Sequence, residues 1–74
     1  MKTQFNTMAV LPISNHGGYE LELSQDGYMA RVRLNIGYGT SKPRWQLIKY
    51  DEAGEPFVTF RHKALQLDWF TRIN

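Results

Sequence analysis

Tyr19-Glu20-Leu21-Glu22-Leu23-Ser24, then Gln25-Asp26-Gly27, then Tyr28-Met29-Ala30-Arg31-Val32-Arg33-Leu34-Asn35-Ile36 is the stretch whose reading decides the fold. Apart from Met29, both arms alternate apolar and polar residues. A strand sends successive side chains to opposite faces, so this period of two marks two half-buried strands. Asp26-Gly27 between them is the signature of a two-residue type I′ turn, which demands positive φ at both central positions. Such a turn sets the register. Leu23 then opposes Ala30 and Leu21 opposes Val32, while Glu22 opposes Arg31 and Glu20 opposes Arg33. The charges thus support the register that the turn proposes. Opposed ion pairs on a sheet contribute roughly 0.2–1 kcal/mol each.

Further along, Gly37-Tyr38-Gly39-Thr40-Ser41-Lys42-Pro43 reads as a loop, followed by one strand over 44–50 and another over 57–61. Asp51-Glu52-Ala53-Gly54 fits a four-residue hairpin loop with Gly54 in the left-handed region. In that register Trp45 faces Phe60 and Leu47 faces Val58. On the opposite side Ile48 faces Phe57, Gln46 faces Thr59 and Arg44 faces Arg61. A slip of one residue reverses these sides. His62-Lys63 closes a third hairpin, setting Phe60 against Leu65 and Val58 against Leu67. Asp68 is placed to cap a helical turn over 69–73; a longer helix over 62–73 is the alternative. Upstream, Met8 to Leu11 reads as a short edge strand, Ser14 to Gly18 as a loop, and residues 1–17 as flexible or edge structure.

The expected architecture is mainly β: one small domain over 1–74, an antiparallel meander of about five strands with a short C-terminal helical turn. It forms either a small open barrel or a single sheet. The expected core is Leu21, Leu23, Ala30, Val32, Leu34, Trp45, Leu47, Val58, Phe60, Leu65 and Leu67. The chain has 74 residues, and a core of this size supplies only about 3–5 kcal/mol of net stability.

Composition removes several classes of function. There is no cysteine, which excludes disulfides, zinc thiolates and thiol nucleophiles and suits a reducing compartment. Two histidines without helical i,i+4 spacing make a poor metal ligand set, and no metal or cofactor is expected. The longest apolar run near the start, Met8 to Leu11, is too short for a secretory leader, and no run approaches the length of a membrane span. A cytoplasmic protein without membrane contact is the resulting expectation. Ser14 or Ser41, His16 or His62, and Asp26, Asp51 or Asp68 fall in no catalytic motif, so no enzyme is expected. In 37–42 the lysine follows the serine and a strand comes next, which is not a phosphate-binding loop. Phe57-Val58-Thr59-Phe60 matches the tail of the RNA-recognition-motif octapeptide, but Glu55 occupies its third position and the chain lacks room for that fold's two helices.

Charge is the remaining guide. Nine Lys and Arg against seven Asp and Glu leave +2. No acid falls between Gly27 and Tyr50, where Arg31, Arg33, Lys42, Arg44 and Lys49 lie. Glu22 and Glu20 neutralise Arg31 and Arg33. Arg44 and Arg61, facing each other, lack such a partner and call for an anion or solvent. The candidate binding residues are therefore Tyr38, Lys42, Arg44, Gln46, Phe57, Thr59 and Arg61: cations for phosphates, amides for polar edges, and aromatic rings for stacking. The expected function is a non-enzymatic binding module. Its partner is nucleic acid or, almost equally, another protein, including a second copy of the chain.

Overall fold

In a computed structural model, which describes residues 4–15, 17–37 and 42–73, the described residues are antiparallel β with a single 3-10 turn. The strands are β1 (Ala9–Ser14), β2 (Gly17–Leu23), β3 (Met29–Asn35), β4 (Gln46–Leu47), β5 (Lys49–Tyr50), β6 (Pro56–Phe60), β7 (Lys63–Gln66) and β8 (Thr71–Arg72). They form a five-stranded sheet, ordered β4-β3-β2-β1-β8, and a three-stranded sheet, ordered β5-β6-β7. The expected antiparallel β class is therefore observed, divided between two sheets that do not close into a barrel.

The central hairpin holds the predicted register. Leu23 pairs with Ala30, Glu22 with Arg31, Leu21 with Val32 and Glu20 with Arg33. The turn differs from expectation. Gly27 has φ of 81°, but Asp26 is not at positive φ, so the turn is not type I′. A wider loop forms: the Gly27 N–H donates to the Ser24 carbonyl, and the Ser24 N–H to the Met29 carbonyl. The Asp26 carboxylate accepts from the Ser24 hydroxyl at 2.6 Å and the Tyr28 N–H at 3.0 Å. Two-residue and four-residue loops leave the strands in the same register, so the pairing survives the change of turn.

The second hairpin is displaced by one residue. Lys49 pairs with Phe57 and Tyr50 with Pro56. Gly54, at φ of 81°, closes a shorter loop in which its N–H donates to the Asp51 carbonyl. The expected strand over 44–50 breaks at Ile48. Its first part, β4, leaves β6 and pairs with β3, Met29 opposite Leu47 and Ala30 opposite Gln46. The consequences for burial follow from that switch. Leu47 and Trp45, expected in the core, lie on the outer face at 64% and 41% exposure, whereas Ile48, expected outside, packs against the core.

The third hairpin turns on Arg61-His62 rather than His62-Lys63. Phe60 pairs with Lys63, Thr59 with Ala64 and Val58 with Leu65. Arg61 and His62 both have positive φ, 51° and 68°, the backbone of a type I′ turn. Beyond β7 the helical turn occupies Leu67–Trp69, and Asp68 lies inside it rather than capping it. Thr71 and Arg72 then form a strand, not a helix, paired with Val10 and Ala9. That makes β1 interior at this end, between β2 and β8, where the sequence suggested an edge.

The core joins the two sheets through Ala9, Tyr19, Leu21, Ala30, Val32, Val58 and Leu65. The rings of Tyr19 and Phe60 meet edge to face at 5.4 Å. Gly18 permits the close approach of β1 to β2, because a Cβ there would overlap the Leu11 carbonyl oxygen.

Candidate nucleic-acid interface

The basic block divides into two environments. On the outer face of the larger sheet, Arg31 is buried at 6% exposure. Its Nε donates to Glu22 at 2.6 Å and its terminal nitrogen to the Gln4 carbonyl at 2.7 Å. The guanidinium lies 5.0 Å from the Phe5 ring centroid and 4.7 Å from that of Trp45, an arrangement favourable to both cation–π contacts. Arg33 donates to Glu20 at 2.6 Å and lies 4.3 Å from the Phe5 ring. The segment before β1 straps this face, since the Asn6 N–H donates to Glu22 and the Thr7 hydroxyl to Glu20. Burial pushes the Glu20 carboxyl up. Hydrogen bonds from Arg33 and Asn35, the Arg33 charge and the Thr7 hydroxyl together outweigh it and hold the group below its ordinary value. These two arginines are committed to the fold, as the cross-strand pairing implied.

Lys42, Arg44 and Arg61 differ. Among the described residues none has a carboxylate within ion-pair distance, and the three line one groove of about 340 Å³ together with Val32, Gln46, Thr59 and Phe60. Among the described residues, no acid lines it. Five of the seven sequence candidates are thus brought together. Phe57 is not part of this lining, and Tyr38 lies outside the described residues.

The route by which they meet is not the one expected. Arg44 precedes β4 and Arg61 sits in a turn, so the two are not a cross-strand pair. Gln46 and Thr59 are joined, but through the Gln46 side chain. Its Nε2 donates to the Thr59 carbonyl at 2.9 Å, and its Oε1 accepts the Thr59 N–H at 2.9 Å and the Thr59 hydroxyl at 3.3 Å. β5 would have paired with Thr59 had the strand continued. Because the chain crosses to β3 at Ile48, the Gln46 carboxamide supplies the missing ladder bonds. A buried backbone group left unpaired is costly, so this substitution closes the corner between the sheets. Gln46 and Thr59 therefore position the groove rather than present free polar edges.

The groove floor contains Val32 and Phe60. Alternation correctly assigns both to the core-facing side, but nothing in the sequence connects them with Lys42 and Arg44. The Arg61 guanidinium stands 5.0 Å from the Phe60 ring centroid. A non-glycine residue in the left-handed region costs about 1–3 kcal/mol and persists where its surroundings impose it. Here the paired strands β6 and β7 impose it, and the turn carries Arg61 to the groove rim.

Among the described residues, no group of three or more His, Asp or Glu side chains is arranged to hold a metal ion. No helix among them is long and apolar enough to cross a membrane. Comparison with protein-family models, curated protein sequences and solved structures finds no match to this chain.

Proposed function

We propose that the protein is a non-enzymatic binding module that engages nucleic acid through the groove rimmed by Lys42, Arg44 and Arg61. The observation that carries this reading is the convergence of three cations on one concavity, with no carboxylate partner and no acid in the lining among the described residues. Uncompensated positive charge beside exposed backbone and aromatic surface attracts phosphates. The absence of cysteine suits a cytoplasmic setting for this role. If three phosphates are neutralised, affinity for a single strand falls with a logarithmic salt slope of about −2, or about 20-fold between about 50 and about 200 mM salt. Titration with mixed DNA and RNA measures this. No binding at the lower salt refutes the reading.

A second reading is favoured by a different surface. Leu47 and Tyr50 are each 64% exposed on the adjoining short strands β4 and β5, which are the edges of their sheets. Exposed apolar side chains along open edges suit pairing with a second copy. Sedimentation that stays monomeric over a wide concentration range excludes the homodimer.

A further inference from the structure

The groove combines charge with an apolar floor, and the combination restricts the kind of nucleic acid it fits. Phosphates alone would need only cations on an open face. Here the cations stand on the rim of a concavity whose floor is Val32 and the half-buried Phe60. Its volume of about 340 Å³ is at the small end of the roughly 300–1,000 Å³ typical of small-molecule pockets. That is room for one nucleotide unit, not for the side of a duplex, whose bases are stacked and turned inward. The Gln46 carboxamide and Thr59 are bonded to one another, so the groove offers chiefly stacking and charge. Arg61 is a rim cation held over a ring, 5.0 Å from the Phe60 centroid. A planar guanidinium stacks on a base as readily as on phenylalanine.

Resting on the proposed nucleic-acid reading, we infer that the groove is a single-nucleotide subsite for single-stranded nucleic acid. Lys42 and Arg44 hold the backbone phosphates, and an unstacked base stacks on the outer face of the Arg61 guanidinium, which itself rests on the Phe60 ring. The subsite is tolerant of sequence, because every base has a π face and the Gln46 and Thr59 side chains are held by one another.

Fluorescence anisotropy with a labelled oligothymidylate of about 12 nucleotides, a duplex of equal length and inorganic polyphosphate tests the inference. The single strand is expected to bind about tenfold more tightly than the duplex at equal salt. Arg61→Lys keeps the charge at an exposed turn but removes the planar group. It should lower single-strand affinity about fivefold while leaving the salt slope and the duplex affinity unchanged. Phe60→Leu should do the same, with its melting curve confirming that the fold survives loss of the Tyr19 contact. Equal binding of single strand, duplex and polyphosphate overturns the base subsite and leaves a purely electrostatic groove. An Arg61→Lys variant indistinguishable from the parent overturns the guanidinium's role. No binding to any of the three at low salt overturns the nucleic-acid reading itself.

Discussion

Replacing Gln46 with alanine removes the carboxamide that stands in for a strand. The Gln46 side chain makes two hydrogen bonds of 2.9 Å to the backbone of Thr59, one through its donor and one through its acceptor. A buried donor or acceptor left without a partner costs roughly 1–3 kcal/mol. Thr59 is only half-buried, so water can reach part of the gap, and about 2 kcal/mol is the expected loss for the pair. That is about half of the 3–5 kcal/mol available to a domain this small. At roughly 4–8 °C per kcal/mol, melting should fall by about 8–16 °C. Gln46→Glu separates the two bonds. Its carboxylate still accepts the Thr59 N–H but sets negative charge against the Thr59 carbonyl, so it should be no more stable than the alanine variant at neutral pH. Urea denaturation gives the stability change, and hydrogen exchange at the Thr59 amide reports the site. Gln66→Ala is the control, since the Gln66 amide bonds Asp51 at an exposed position and should cost less than about 0.5 kcal/mol. If Gln46→Ala leaves the urea midpoint unchanged and the Thr59 amide as protected as before, the carboxamide does not close the corner.

Glu22→Ala strands the buried Arg31 guanidinium and should cost about 3 kcal/mol, enough to leave much of the protein unfolded. Replacing both residues with Arg31→Met and Glu22→Leu should recover most of that loss, and denaturation of the two variants side by side checks it. Stability should also fall in acid. Glu20 is held below its ordinary value of 4.5, and its contribution is therefore present above that pH and lost as pH falls through the depressed value. Asp26 and Asp51 shift in the same direction, chiefly through the Ser24 hydroxyl and the Glu55 N–H respectively. Urea midpoints measured against pH should show Glu20→Gln less stable at neutral pH and flatter in acid than the parent. Finally, His62→Gly relieves a positive φ without altering the groove and should stabilise the fold by about 0.5–1 kcal/mol, read as a raised melting temperature.

The pairing of the central hairpin is legible in the sequence, since alternation and opposite charges over Tyr19 to Leu34 specify it twice over. Even an incorrect turn type left the register intact. The other two hairpins lacked that redundancy. Their strands carry few charges, and a displacement of one or two residues leaves equally apolar pairings, so turn chemistry had to decide. In the third hairpin no glycine marks the turn, which falls on Arg61 and His62, both at positive φ, rather than on His62 and Lys63. The groove was partly legible: Lys42, Arg44, Gln46, Thr59 and Arg61 were all candidates, the last four through a pairing that does not occur.

By itself the sequence determined an antiparallel β protein, the pairing of Arg31 and Arg33 with Glu22 and Glu20, and the surplus of positive charge at Lys42, Arg44 and Arg61. These follow from period, opposition and composition, which are local or nearest-neighbour properties. Only the tertiary structure decided that the strand after Arg44 changes sheets at Ile48, that Gln46 replaces the lost ladder bonds, and that Val32 and Phe60 become the floor beneath those cations. The reason is that a switch between sheets depends on whether β3 or β6 offers the better edge. That comparison exists only once both sheets are packed on a shared core.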